Sequence, residues 1–207
     1  MKEMKELLVA VLSFLRRERR GWVILLVATL FLSWLFRAEI KNLINNYDPV
    51  KEQAYLSERI NDELAKILDF SGADRVYIFQ FHNGISFYNG QHAQRFTCTY
   101  EIVSKGTSRE AANLVNLQVS VFSWFITQTL EGNMCYVDTH DIPDYTTRYT
   151  LHSQGIKSIK VLPIIKNNRV IGLIGVDYVK SHNETLGAKI TTEWFSNEAE
   201  IIANILD

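Results

Sequence analysis

Cysteine is nearly missing from this 207-residue chain, which carries only Cys98 and Cys135. Two thiols cannot build a disulfide scaffold, and without a CxxC pair they set up no zinc ribbon or dithiol redox centre. Proline is almost as scarce, at three. Low-complexity segments and internal repeats are lacking, so neither a linker-rich chain nor a repeat array is expected. Neither sign of charge is in excess. The formal net charge is −1, which calls for no nucleic acid as partner. P-loop, GxGxxG, GxSxG and HExxH motifs are all absent. That leaves no catalytic constellation, and the chain is expected not to be an enzyme and to carry no cofactor.

What the sequence does have is one uncharged run, residues 21–36, reading GWVILLVATLFLSWLF. As a helix it measures roughly 24 Å, somewhat under a ~30 Å hydrocarbon core. Arg20 and Arg37 flank it and can extend its reach by snorkelling. Trp22 and Trp34 stand near its ends, where indole rings favour the headgroup level. These four residues are the expected membrane anchor. A soluble core helix would show a polar stripe, and only Thr29 and Ser33 interrupt this run. A cleaved signal peptide is disfavoured because Phe36-Arg37-Ala38-Glu39 offers no small-x-small cleavage site. Lys2, Lys5, Arg16, Arg17, Arg19 and Arg20 precede the run, which places the N-terminus in the cytoplasm and the remainder outside; in a bacterium, outside the inner membrane is the periplasm. The expected organisation is a cytoplasmic tail (1–20), a transmembrane helix (21–37), a stalk (38–49) and an outer, periplasmic domain (50–207). The tail is either an amphipathic helix lying on the inner leaflet, with Leu7, Leu8, Val11, Leu12 and Leu15 at helical spacing, or a disordered basic segment.

Beyond Pro49, Leu56, Ile60, Leu64, Ile67 and Leu68 give a helix over about 50–69 an apolar face, and Gly72 follows its end. Residues 75–81 (RVYIFQF) read as a strand, His82-Asn83-Gly84 as a turn, and 95–103 as a second strand. A helix is expected over 121–130, a short strand over 134–137 and a short helix over 145–152. Residues 157–166 and 170–179 form a hairpin around Asn167-Asn168, and a helix over 190–206 closes the chain. The expected fold class is α+β, a mostly antiparallel central sheet flanked by helices, with the first and last helices of the domain on one face.

This element order, with the closing hairpin, the terminal helix and the phrase Val170-Ile171-Gly172-Leu173-Ile174-Gly175-Val176, resembles GAF domains and their PAS-like relatives over about 50–207. The resemblance implies a small ligand or partner pocket between the sheet and the short helices, opposite the terminal helices. Glu101 and Asp177, acidic residues in or near strands, are candidates for that pocket. Ser120, Trp124, Tyr145 and Tyr149 also stand where such a cavity would be lined, with Trp124 better read as core. The Asn-Lys-Phe-Asp-Glu set of cyclic-nucleotide GAF domains is absent, and no sequence context supports a chromophore cysteine. His140 with Asp138, Asp141 and Asp144 reads as a solvated turn rather than a cation site. His82 and His92 read as polar loop residues. Cys98 and Cys135 are expected on strands at opposite edges of the sheet, too far apart for a bridge.

The layout as a whole is also similar to that of the holins of T-even-like bacteriophages: a basic tail, one inward-anchored span, an emerging helix, and a hairpin-plus-helix close. That resemblance implies a homo-oligomer that opens the host inner membrane to release an endolysin, timed by a periplasmic antiholin. Membrane lipid and a small ligand are the other partners to expect. The holin is the leading expectation, and a membrane-anchored GAF-like sensor or signalling module is the alternative.

Overall fold

The structure, a computed structural model, describes residues 19–46, 48–86, 90, 92–184 and 186–206. Nearly all of the expected tail lies outside the described residues, as do the side chains of Arg20 and 38–46. The chain divides into two compact units, Met1–Glu52 and Gln53–Asp207, and each is described by itself.

The first unit is built on helix α1 (Arg19–Asn46). Thr29 satisfies its hydroxyl within the helix by donating to the Leu25 carbonyl at 2.8 Å. Trp22, Ile24, Leu26, Leu30, Phe31, Trp34 and Phe36 are all more than half exposed, and Arg37 is exposed. Among the described residues, no helix is long and apolar enough to cross a membrane. The expected transmembrane helix is corrected accordingly. The uncharged run is about 16 residues long, several ångströms short of a hydrocarbon core, and Arg37 closes it while the helix continues.

Helix α2 (Pro49–Ser71) starts on a capped turn. The Asp48 carboxylate accepts from the Val50 and Lys51 amides, each at 3.1 Å, and Pro49 occupies the first helical position, where no amide is needed. Ile60, Leu64 and Ile67 recur at helical spacing and are buried. Gly72, at φ +66°, turns the chain out of the helix.

The second unit holds one six-stranded sheet, all neighbours antiparallel, in the order β3-β2-β1-β6-β5-β4. The strands are β1 (Arg75–Ser86), β2 (His92–Val103), β3 (Leu117–Gln118), β4 (Cys135–Tyr136), β5 (Ser158–Lys166) and β6 (Arg169–Tyr178). Helices α3 (Ser123–Leu130) and α4 (Tyr145–Ser153) lie between β3 and β5 in sequence; α5 (Leu186–Lys189) and α6 (Thr192–Ile205) follow β6. The hairpin β5–β6 turns on Asn167 and Asn168, both at positive φ, the backbone that a two-residue type I′ turn requires.

Strand alternation sends side chains to two separate cores. On one face Val76, Ile78, Leu162, Ile164, Ile174 and Val176 pack with Ile60, Leu64 and Ile67 of α2 and with Phe195, Ala199 and Ile202 of α6. On the other, Tyr77, Phe79, Phe96, Ile159, Val161 and Leu173 pack with Phe125 and Ile126 of α3 and Leu151 of α4. Each fully buried large aliphatic or aromatic side chain stabilises the fold by about 1.5–3 kcal/mol. The α+β class and the shared face of first and last domain helices follow the sequence pattern.

Three local expectations change. His82-Asn83-Gly84 is no turn, because β1 continues through it to Ser86. Gly84 is needed there because a Cβ would strike the Ala93 carbonyl oxygen across the ladder. Helix α3 begins at Ser123, after turns that hold Ser120 outside it. The closing helix is split, with Thr191 capping α6 by accepting from the Trp194 amide at 3.2 Å.

Candidate functional site

Between the second sheet face and helices α3 and α4 lies a cavity of about 40 Å³. Its apolar wall is a run of rings in edge-on contact: Tyr77 with Phe79 at 5.4 Å, Phe79 with Phe96 at 5.2 Å, and Phe96 with Phe122 at 5.8 Å between centroids. Room for Tyr77 comes from Gly175, its register partner on β6, where any Cβ would collide with the phenol ring.

The polar end is set by register. Arg75 opens β1 directly opposite Asp177 of β6, and both side chains point to the cavity face, alternating with Tyr77 on one strand and Gly175 on the other. Glu101 of β2 joins them because of a bulge. The pairing shifts by one residue between Ile78 and Phe79, so that Thr99 is extra and Phe96, Cys98 and Glu101 all share the cavity face.

Arg75 and Asp177 are each 1% exposed. Arg75 Nη2 donates to the Gln154 carbonyl at 2.9 Å, and Nη1 stands 3.6 Å from Asp177 Oδ2, an ion pair too long for a hydrogen bond. Burial pushes the Asp177 carboxyl up to about 7; the Arg75 guanidinium opposes that rise, while Glu101, Asp74 and Glu110 reinforce it. Glu101 is satisfied differently: its carboxylate accepts from the Glu110 amide at 2.9 and 3.1 Å and from the Ala111 amide at 3.2 Å. Thr147 of α4 lines the same cavity and is 2% exposed. Among the described residues, Arg75 Nε, Asp177 Oδ1 and Thr147 Oγ1 are buried without a hydrogen-bond partner. A folded protein leaves few such atoms, and here three of them line one cavity.

Two of the expected pocket residues, Glu101 and Asp177, are therefore brought together. Ser120 is exposed in the turn before α3, and Tyr145 and Tyr149 stack on each other on the outer side of α4, 69% and 63% exposed. These three do not line the cavity. Trp124 sits half-buried against the second core. Arg75 and Thr147 carry the site and were not singled out from the sequence; the available signal for Arg75 was its position two residues before Tyr77 and four before Phe79, on the same strand face.

Two groups of the second core that could act as nucleophiles are held protonated. Burial pushes the Tyr77 phenol well above its usual range and the Cys98 thiol to about 12, so neither supplies a nucleophile near neutrality. Neither Cys98 nor Cys135 lines the cavity. Four strand spacings, about 19 Å, separate their strands. His82 bonds Thr97 at 2.9 Å and His92 bonds Ser86 at 3.0 Å, while His140 bonds Asp138 at 2.8 Å. Among the described residues no group of three or more metal-ligating side chains forms.

An antiparallel sheet with paired terminal helices on one face and a polar-ended cavity under short helices on the other defines an α+β module of the sensory-domain type. The sequence profile of the GAF domain matches residues 56–205, and the chain belongs to this family. Its fold is similar to that of the PixJ GAF domain of Thermosynechococcus elongatus in its blue-light-absorbing form (15% identity, TM-score 0.58, covering 77% of this chain and 89% of that one). It is also similar to the GAF domain region of a putative membrane protein from Geobacter sulfurreducens (15% identity, TM-score 0.54, covering 76% and 96%). A far-red-absorbing structure with bound biliverdin is similar at 11% identity and TM-score 0.50, covering 73% and 97%. No curated protein matches.

These findings overturn the holin expectation, and with it host lysis, endolysin release and the antiholin partner. The likeness to holins rested on layout alone, an apolar run followed by a domain ending in hairpin and helix. A GAF domain behind an apolar helix has that same layout.

Proposed function

We propose that the chain is a sensory module, a GAF domain that senses a small ligand and is tethered to a membrane by the helix preceding it. The observation that carries the ligand reading is the clustering of three unpartnered buried polar atoms in one cavity. Leaving such groups unsatisfied costs on the order of 1–3 kcal/mol each, a cost that a bound ligand removes. The role is binding without catalysis, since the cavity holds no activated nucleophile. The ligand is not a bilin of the kind bound in the biliverdin structure. A 40 Å³ space is well below the ~150 Å³ that accepts benzene, and no cysteine is placed to hold a chromophore there.

Tethering is supported by the exposed apolar side chains of α1 and by the lone arginine, Arg37, that ends them. Because the run falls several ångströms short of a hydrocarbon core, spanning would require local bilayer thinning and snorkelling of its flanking arginines. The basic residues before it favour a cytoplasmic N-terminus, a bacterial inner-membrane location and a periplasmic GAF domain.

One preparation tests both halves. The full chain, reconstituted in nanodiscs, is analysed by native mass spectrometry for small molecules carried from the host, beside Thr147→Leu, which fills the cavity and removes one unpartnered hydroxyl. A small molecule retained by the wild type and lost from Thr147→Leu is the expected result; identical spectra would exclude this cavity as the site. Resistance of the chain to carbonate extraction is expected for the tether, and release into the soluble fraction would remove it.

A further inference from the structure

Above about pH 7, where Asp177 is ionised, the two buried ions differ in what they still need. Arg75 has its Nη2 committed to Gln154 and its Nη1 facing Asp177 Oδ2, leaving Nε as a donor. Asp177 leaves Oδ1 as an acceptor. The residues are register partners on adjacent strands and both line the cavity, so this donor and this acceptor belong to neighbouring positions of its wall. Thr147 adds a hydroxyl able to give or take one bond.

The charges in the wall are already matched. Arg75 and Asp177 face each other, and Glu101 is met by the Glu110 and Ala111 amides. A bound carboxylate would satisfy Arg75 but bring a second negative charge against Asp177. A bound ammonium would satisfy Asp177 but leave Arg75 Nε unpaired and face its charge. Burying an uncompensated ion is strongly unfavourable. A neutral group with an N–H and a C=O on one edge satisfies both atoms at once without adding charge.

We infer that the Arg75–Asp177–Thr147 end of the cavity recognises an uncharged carboxamide-type edge, its N–H donated to Asp177 Oδ1 and its carbonyl accepting from Arg75 Nε. This rests on the cavity being the ligand site proposed above. The cavity's 40 Å³ limits the buried part to a few heavy atoms, the size of acetamide, with the phenylalanine wall receiving its apolar end.

The probes are acetamide, acetate and methylammonium, which share size and differ in charge. Binding to the full chain in detergent at about pH 8, where Asp177 is ionised, is followed by saturation-transfer NMR, with Thr147→Leu as the control for signal that does not come from the cavity. Acetamide is expected to bind in the millimolar range, at least tenfold tighter than either ion, and to lose its signal in Thr147→Leu. In Asp177→Asn the amide side chain turns its oxygen to Arg75 and its N–H₂ to the cavity, so the preference should reverse toward acetate. A reversal is a gain of binding, which an unfolded variant cannot imitate; should that variant fail to fold, the wild-type ranking decides. Acetate or methylammonium binding the wild type as tightly as acetamide would overturn the ligand class while leaving the cavity as the site. If none of the three gives a signal sensitive to Thr147→Leu, ordered water alone satisfies these atoms, and the class and the ligand-site reading fall together.

Discussion

Asp177 gives the pH dependence of stability a sign opposite to that of a typical paired carboxylate. Its pKa is raised from 3.8 to about 7 by burial, with Arg75 opposing the rise and Glu101, Asp74 and Glu110 adding to it. The folded chain then holds this proton more tightly than the unfolded chain does. The stabilisation is complete below about pH 3.8 and is lost as the pH rises through about 7. A shift of roughly three pK units corresponds to about 4 kcal/mol in all, of which roughly half to two thirds falls between pH 5 and 8. Other groups titrate nearby. Glu198, raised above its ordinary value of 4.5 by burial and then by Glu63, contributes with the same sign. His152, lowered by burial and then by His140 and Arg148, contributes with the opposite sign below 6.5. In Asp74 burial pushes the pKa up but the bonds from Lys180 and Val179 pull it below 3.8, out of this window. The difference between wild type and Asp177→Asn removes these shared contributions. Denaturant unfolding of the full chain in mild detergent, at about pH 5, 6, 7 and 8, should show the wild type losing roughly 2–3 kcal/mol relative to the variant across that range. Parallel profiles, or a ¹³C-detected carboxyl midpoint for Asp177 below about pH 5, would refute the reasoning.

Gly175→Ala is expected to destabilise the fold by about 1–3 kcal/mol, because the added methyl meets the Tyr77 ring rather than a flexible side-chain end; a fall in the denaturant midpoint at unchanged slope checks it. Asp74→Ala removes the acceptor for the Val179 and Lys180 amides, the Ser104 hydroxyl and the Lys180 ammonium, and should cost about 2–3 kcal/mol with faster amide exchange at 179 and 180. Replacing Arg75 with Met and Asp177 with Leu together should leave stability at neutral pH unchanged or higher while abolishing ligand binding, which thermal unfolding and the acetamide titration read independently.

Much of this architecture is legible in local chemistry. The Asn167-Asn168 turn, the β-branched strands around it, and the α2 face at Ile60, Leu64 and Ile67 each depend on a few adjacent residues whose preferences agree with the final fold. The cavity depends on register, which is not local. Counting alternation from Phe96, Glu101 falls on the opposite face; only the extra residue at Thr99 brings the two together. No residue in 96–101 announces that bulge, so Glu101 was recognisable as an acidic strand residue but its direction was not. Gly84 shows the converse. After His82-Asn83 it looks like a turn, yet it serves the close approach of the Ala93 carbonyl, a contact across the ladder invisible to composition.

The buried pair at the strand ends has an energetic consequence for how the site is understood. Positions 75 and 177 sit in register at the edge of an otherwise apolar face, flanked by Tyr77, Ile156 and Ile159. Two apolar side chains there would pack without desolvating any charge, and a buried ion pair at 3.6 Å, lacking a direct hydrogen bond, recovers little of its desolvation. Stability alone therefore does not account for Arg75 and Asp177. Their arrangement spends folding energy to hold one donor and one acceptor buried at paired positions of the sheet, with the Gln154 carbonyl accepting from the guanidinium. Preorganisation of that kind strengthens binding by removing the entropy of ordering the site after the ligand arrives. The same pair thus explains two properties at once: a fold that weakens as the pH rises through about 7, and a cavity that prefers a neutral solute over either ion.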